Sequence, residues 1–277
     1  MPELPEVETI RLQIEPAVLG RRVTEAGSHP SDKFRPARDI TGATFTGAGR
    51  RGKFLLFPTD DDRELVVHLG MTGSLVVRPH DADDSDPYLR AWWTLSGPDG
   101  TDRSGPRHRL EFRDVRRFGR IRVVPRGDYR SIPGLMTMGP EPFDPTLDGA
   151  GFHRLLSRSR RRLKTQLLSQ RPIAGVGNIY ADEALWRAGI NPRVTRISEP
   201  RAGLLLEAIR AVLAQGLDNG GTTLRDYRDA NGNQGANQHG LAAYGRAGQP
   251  CVRCATEMRS ATIDSRTTTW CPLCQRR

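Results

Sequence analysis

The stretch CVRCATEMRSATIDSRTTTWCPLC, residues 251–274, holds every cysteine of the chain: Cys251, Cys254, Cys271 and Cys274, in two C-x2-C knuckles separated by 16 residues. Four thiolates at that spacing can close a tetrahedron around one Zn2+, and a full set of four protein ligands leaves no open position for substrate. The metal expected here is therefore a single structural zinc. Two disulfides or four idle thiols are the alternative. The N-terminus lacks a basic region followed by an apolar core, so it does not read as a secretory signal, and a cytosolic chain keeps its thiols reduced and free for metal. Between the knuckles, Met258 to Trp270 reads as a short β-hairpin projecting Arg266 and a run of threonines, all able to contact phosphate.

Working back from the cysteines, a Gly/Asn-rich loop occupies 231–240. Before it, helical patterns dominate. One helix is expected from Ser198 to Gly216, with Ser198 as N-cap, Pro200 close behind, and Leu205, Ile209, Val212 and Leu213 on one face. The stretch IAGVGNIYADEALWRAGINP (173–192) leads through Gly175, Gly177 and Asn178 into a second helix, from Tyr180 to Ala188. Backbone N–H groups at such a helix entry bind phosphate well, and Asn178 adds a side-chain donor; a glycine-rich helix start packed in a core is the plainer reading. A basic helix is expected near 150–169, where Arg158, Arg160, Arg161, Arg162 and Lys164 crowd together. Ahead of it, SIPGLMTMGPEPFDP (131–145) carries four prolines and reads as a hinge.

The first half of the chain has a different character. FLLF (54–57), ELVVHL (64–69), GSLVV (73–77), AWWTL (91–95), HRLEF (108–112) and RIRVV (120–124) are short, β-favouring runs with turn residues between them. They predict a β-sandwich or barrel following one helix from Pro5 to Gly20, on which Val7, Ile10 and Ile14 recur at helical spacing. The fold class expected is α+β. Its parts are an N-terminal helix and β-sandwich over 1–130, a linker over 131–147, a helical domain over 148–240 and a zinc finger over 241–277.

Composition narrows the partners. The 42 Lys and Arg against 32 Asp and Glu give a net charge of +10, a field that attracts polyanions, with nucleic acid foremost; heavy arginine use in GC-rich coding is the bland alternative. No apolar run approaches the roughly 20 residues that span a bilayer, and no Gly-rich loop suits a nucleotide. The opening MPELPEVETI packs two prolines and three glutamates into its first eight residues. By itself that could be a leader, an acidic helix entry suited to the helix dipole, or a catalytic N-terminus.

Taken in order, MPELPE, RRGKFLLF (50–57), HLGMTGSL (68–75), RDVRRFG (113–119), MGPEP (138–142), GVGNIYADEALWRAGI (175–190), GGTTLRDY (220–227), YGR (244–246) and RTTTWCPLCQ (266–275) resemble the formamidopyrimidine-DNA glycosylase (Fpg/Nei) family almost end to end. Leu4 points to the formamidopyrimidine branch, since the endonuclease VIII branch usually carries Gly there. The resemblance implies a helix-two-turns-helix domain for the helical part. It also implies a bifunctional DNA glycosylase and AP lyase of base excision repair, acting on oxidised purines in double-stranded DNA by β,δ-elimination.

The roles follow residue by residue. Removal of Met1 would expose the secondary amine of Pro2 as the nucleophile, with Glu3 as its proton donor. Glu6, one turn on, would position the amine or the sugar. Lys53 and Arg266 match residues tied to phosphate contact and to the elimination steps. His68 and Asn178 match phosphate contacts, and Lys164 matches a lysine near the lesion. Met71, Arg116 and Phe118 match the residues that fill the stack when the damaged nucleotide is extruded; read without the resemblance, Met71 and Phe118 would be core.

The chain departs from its relatives at Gly235, Ala236, Asn237 and Gln238, where an aromatic pair is usual, at Ser159, where a DNA-binding lysine is common, and at Val115, where Pro is usual. Two other readings compete: the same chemistry on oxidised pyrimidines or abasic sites, and a lesion-binding protein without catalysis. A monomer is expected, cytoplasmic in a bacterium and associated with the nucleoid through DNA.

Overall fold

A computed structural model describes residues 1–80, 85–97 and 108–276, and the chain divides into two compact units. The first comprises Met1–Ile132 together with Gly220–Ala236, the second Pro133–Asn219 together with Asn237–Arg277.

In the first unit, helix α1 (Leu4–Val18) is followed by eight strands: β1 (Val23–Ser28), β2 (Gly49–Arg51), β3 (Phe54–Pro58), β4 (Arg63–His68), β5 (Gly73–Pro79), β6 (Leu89–Leu95), β7 (His108–Asp114) and β8 (Arg120–Pro125). They form two four-stranded antiparallel sheets, in the orders β1-β6-β7-β5 and β2-β3-β4-β8. Alternation sets the inward faces: Leu55 and Phe57 of β3, Leu110 and Phe112 of β7, and Trp93 of β6 are buried in one core with Ile10, Ile14 and Val18 of α1. The Trp93 indole N–H, which an apolar core would leave unpaired, donates to the Ala37 carbonyl at 2.9 Å. The six strands legible in the sequence all form. Two others, β1 and β2, escape a hydrophobic pattern because VTEAGS buries only one large apolar side chain, Val23, and GRR none.

The second unit contains α2 (Pro133–Met136), α3 (Gly149–Ser157), α4 (Leu163–Leu168), α5 (Asn178–Arg187), α6 (Glu199–Asp218) and the antiparallel hairpin β9 (Arg259–Ile263) and β10 (Arg266–Trp270). The basic helix expected over 150–169 is two helices. Residues 158–162 read RSRRR, with no apolar side chain to bury and with like charges adjacent, and Arg162 adopts extended backbone before α4 begins. The Gln166 amide closes this break by donating to the Arg161 carbonyl at 2.8 Å. Ser198 does take the N-cap position of α6, with extended backbone, although its side chain makes no capping hydrogen bond.

Two boundaries differ from the sequence-based division. Segment 133–147, read as linker, includes α2 and clusters with the second unit, and segment 220–236, read within the helical domain, clusters with the first. The reason lies on α1: Gln13 donates to the Asp229 carboxylate at 2.9 Å and accepts from the Ala230 N–H at 2.8 Å, while Glu6 accepts from the Thr222 N–H at 2.6 Å. Among the described residues no helix is long and apolar enough to cross a membrane.

Candidate functional site

In the first unit the candidate residues lie at the start of α1, in the turn after β2, at the end of β4 and in the loops that follow β4 and β7. Met1 is half exposed, but Pro2, Glu3 and Glu6 are buried, Glu3 at 2 % and Glu6 at 1 % exposure. Glu3 is the N-cap residue of α1, and its backbone N–H donates to Glu6 Oε2 at 2.8 Å. The other carboxylate oxygen of Glu6 takes the Thr222 N–H. One carboxylate therefore fixes the peptide that follows Pro2 to the 220–236 segment, and hydrogen bonds of this charge-assisted kind are strong when buried. The segment can approach because position 221 is glycine: its φ is +87°, and a Cβ there would lie 2.9 Å from Glu6 Cγ.

Lys53 lies in the two-residue turn that joins β2 to β3, where Arg51 pairs with Phe54 and Gly52 takes φ +55°. A turn this short holds Lys53 in one place, and Lys53 is buried at 6 % exposure. His68 ends β4 opposite Phe54 and Arg120, and its ring lies 4.7 Å from the Phe54 ring. Its Nδ1 accepts from the Gly70 N–H at 3.2 Å, so the neutral ring carries its proton on Nε2 as a donor. Burial first, then the charges of Lys53 and Arg120, push the imidazolium down to about 4. His68 thus carries a neutral Nε2–H donor.

This gives a pH prediction. The unfolded imidazole takes up its proton near 6.5 and the folded one only near 4, so the contribution of His68 to stability is present above about pH 6.5 and lost as pH falls toward 4. NMR titration of the ring should show a midpoint near 4 in the free protein. The midpoint should move upward when a phosphate binds, because an anion favours the charged form.

Met71 and Phe118, which pattern alone would have buried, are 39 % and 47 % exposed. Arg116 is exposed as well, its guanidinium 5.0 Å from the centroid of the Phe118 ring. Their two loops are knitted by residues that the sequence reading passed over. Asp114, fully buried, accepts from the Gly119 N–H at 2.7 Å and from the Thr72 hydroxyl at 2.6 Å, and Thr72 Oγ1 in turn accepts from the Arg116 N–H at 3.0 Å. Gly70 permits the close approach: its φ is +69°, and a Cβ would lie 2.5 Å from backbone atoms of Phe118 and Gly119. The signal for Asp114 was present in RDVRRFG, but nothing in a linear pattern separates a carboxylate that organises two loops from a solvated one.

In the second unit, Asn178 opens α5 and donates through Nδ2 to the Thr267 carbonyl of the hairpin at 3.3 Å. Arg266 is exposed and follows a two-residue turn in which Asp264 and Ser265 have φ of 46° and 63°. That turn is held by the Thr165 hydroxyl, which donates to the Asp264 carboxylate.

Lys164, expected near the lesion, lies inside the second unit. It is 0 % exposed, its ammonium 2.7 Å from Asp182 Oδ1, and it donates to the Thr267 carbonyl and the Thr268 hydroxyl, each at 2.9 Å. A desolvated ammonium with these partners anchors the hairpin. Asp182 completes the anchor by accepting from the Thr269 N–H at 3.0 Å. Burial pushes its carboxyl up to about 7, with Lys164 and that N–H only partly opposing the rise.

The rest of α5 serves the same module. Glu183 accepts from the N–H groups of Ala242, Ala243 and Tyr244 at 2.9, 2.8 and 2.7 Å. Trp186 Nε1 donates to Cys251 Sγ at 3.4 Å, and Gln275 bridges the Cys271 N–H and the Ile190 carbonyl.

The sulfur atoms of Cys251, Cys254, Cys271 and Cys274 all lie within 4.8 Å of one another. A tetrahedron with Zn–S near 2.3 Å has edges of about 3.8 Å, so a small contraction closes the set on one ion. The donor chemistry fits: four soft thiolates, no carboxylate, and an indole N–H on one sulfur as outer-shell support.

Three sequence families match this chain: the formamidopyrimidine-DNA glycosylase N-terminal domain over residues 1–121, the formamidopyrimidine-DNA glycosylase H2TH domain over 138–228, and the zinc finger found in FPG and IleRS over 248–277. A formamidopyrimidine-DNA glycosylase of Thermus thermophilus is 43 % identical over 279 residues, covering 99 % of this chain and 98 % of that one. The Deinococcus radiodurans enzyme of the same name is 41 % identical over 288 residues, covering 99 % and 97 %. The crystal structure of the MutM (Fpg) protein from Thermus thermophilus superposes with a TM-score of 0.88 over 99 % of this chain and 98 % of that one. That of Lactococcus lactis Fpg with DNA containing an abasic site, 31 % identical, superposes with a TM-score of 0.85 over 99 % and 100 %. With all three parts matched in order and relatives aligned over nearly their whole length, the chain belongs to the formamidopyrimidine-DNA glycosylase family.

Proposed function

We propose that this DNA glycosylase of base excision repair removes oxidised purines, formamidopyrimidines and 8-oxoguanine, from double-stranded DNA and then cleaves the strand as an AP lyase. The observation that carries the chemistry is the fixed N-terminus: Glu6 binds the Glu3 N–H and the Thr222 N–H at once, so that loss of Met1 would leave the Pro2 amine mounted on α1. An α-amino group titrates near about 8, so a usable fraction is neutral at physiological pH. Its lone pair attacks C1′ of the damaged nucleotide, and the base departs with the electrons of the glycosidic bond and takes up the proton that the new tertiary amine loses. Glu3 gives its proton to the ring oxygen as the sugar opens, which leaves an iminium between Pro2 and C1′. The iminium acidifies the C2′ proton; loss of that proton expels the 3′ phosphate, and a second elimination expels the 5′ phosphate. Lys53 and Arg266 are assigned to these steps and to the phosphates they release.

His68 and Asn178 are assigned to phosphate contacts. Met71, Arg116 and Phe118 fill the gap in the stack, which suits three exposed side chains on loops stiffened by Asp114. Glu6 is a positioning residue. The zinc finger presents Arg266, with Zn2+ as its structural metal. The enzyme is taken to act as a cytoplasmic monomer.

Borohydride trapping on a lesion duplex tests the nucleophile. The wild-type chain should cross-link and Pro2→Gly should lose most of the cross-linked product; full cross-linking by the variant sinks the assignment. Substrate choice rests on a second measurement, because residues 235–238 carry no aromatic side chain and Asn237 is buried, with its Oδ1 accepting from Gln215 and Asn219. Release of 8-oxoguanine should exceed release of 5-hydroxycytosine from matched duplexes, and the reverse order would assign the enzyme to oxidised pyrimidines.

A further inference from the structure

A group of arginines in the second unit takes no part in the chemistry above. Arg162, Arg193, Thr195, Arg196, Thr262 and Ile263 line a groove of about 590 Å3, bounded by the start of α4, the loop after α5 and the end of β9. Among the described residues no acidic side chain lines it. Three guanidinium-bearing residues around one groove without a counter-charge repel one another, and a bound anion relieves that repulsion. The nearest acid in sequence, Asp264, is engaged by the Thr165 hydroxyl.

The groove is also prepared in shape. The Arg193 guanidinium lies 4.5 Å over the ring of Trp270, which is buried. Stacking of this kind holds the planar fork in place and reduces the ordering lost when it binds phosphate. Thr195 and Thr262 add hydroxyl donors. Ile263, which lines the groove, is the cross-strand partner of Arg266, so part of the lining lies about 5 Å of backbone from the residue assigned to the lesion's phosphate.

We propose that the groove of Arg162, Arg193 and Arg196 is a phosphodiester-binding subsite that holds the DNA strand flanking the lesion, one hairpin rung away from Arg266. The proposal rests on the DNA-glycosylase reading for its partner but not for its chemistry. The subsite contributes affinity and register along the backbone without touching the base or the reacting sugar.

A scan of the flanking phosphates tests it. Full-length protein is titrated against duplexes that carry a non-cleavable tetrahydrofuran abasic analogue, each with a single methylphosphonate at one backbone position. For the wild type, neutralising one or two phosphates in the flank should weaken binding several-fold. In the triple variant Arg162→Gln, Arg193→Gln, Arg196→Gln those same substitutions should have no further effect, while neutralising the lesion's own phosphate should weaken both proteins equally. The salt slope should shrink by about 0.9 for each phosphate that the variant no longer neutralises.

Arg196→Gln alone, at an exposed side chain, should show a smaller loss at the same positions and guards against misfolding of the triple variant; zinc content checks both. Superimposable scans overturn the proposal, as does a variant whose single-turnover base release at saturating protein falls below that of the wild type. The scan reads binding alone, so failure of the glycosylase reading would appear separately, as a wild-type protein that binds but releases no base.

Discussion

Stripping the zinc, or replacing Cys271 by Ser, should lower affinity for lesion DNA by on the order of a hundredfold, while far-UV circular dichroism keeps most of its signal. The hairpin of β9 and β10 has five residues in each strand and a small core of Ala243, Met258 and the cysteines themselves, with Trp186 packed against it. An isolated two-stranded ribbon of that size is marginal in water. Zinc ligation contributes about 10–16 kcal/mol in isolated fingers, and that free energy is what folds them. The knuckles clamp the open end of the hairpin: Cys254 precedes β9, and Cys271 directly follows Trp270 of β10, the cross-strand partner of Arg259.

Without metal, Arg266 and the threonines beside it lose their fixed spacing, and the phosphate contacts assigned to them go with it. The helices and the two sheets of the first unit, whose core contains no cysteine, should survive. Trp186, with its indole on Cys251 Sγ, is a built-in reporter, so its fluorescence should change in step with zinc loss. Binding measured by anisotropy that stays within a factor of two of the holoprotein would contradict this account.

Asp182→Ala should destabilise the second unit by about 3–5 kcal/mol, whereas Lys164→Met combined with Asp182→Leu should recover most of that loss. Both side chains are essentially inaccessible, at 0 % and 1 % exposure, and their charged atoms are 2.7 Å apart. Removing the carboxylate leaves a desolvated ammonium facing the Thr267 carbonyl and the Thr268 hydroxyl, and takes the acceptor from the Thr269 N–H. Two apolar side chains of similar volume remove the cost of burying both charges. The non-additivity of the double-mutant cycle is therefore the diagnostic quantity, read from thermal or urea unfolding with zinc content held constant. A lysine that contacted DNA from the surface would give the opposite pattern: little change in stability and weaker binding at every sequence.

The two halves of the molecule were legible in the sequence to different depths. Strands β3 to β8 could be read because each is a short apolar run bounded by turn residues, and the cysteine knuckles because metal geometry restricts their spacing. The 158–162 break was hidden because arginine is a good helix former taken singly, and only the absence of any apolar residue across five positions gives the break away. Pairing of the 220–236 segment with the first unit was hidden for a different reason. It depends on Glu6 and Gln13 meeting backbone groups more than 200 residues later, as the 216-residue separation from Glu6 to Thr222 illustrates.

For the candidate site, the sequence by itself supplied the residue types and their order: a proline amine after Met1, acids one helical turn apart, a lysine in a tight turn, four thiols in two pairs. What only the tertiary structure decided was which side chains are buried and which charges meet each other. Lys53 and Lys164 look alike in a linear pattern and both are buried, yet one sits in a two-residue turn and the other against Asp182. Met71 and Phe118 look like core residues and stand exposed on loops tied to Asp114. Sequence patterns carry information at separations of a few residues, where helix and strand periods act. Desolvation and ion pairing are set by neighbours brought together from distant parts of the chain, and those neighbours exist only once the fold has formed.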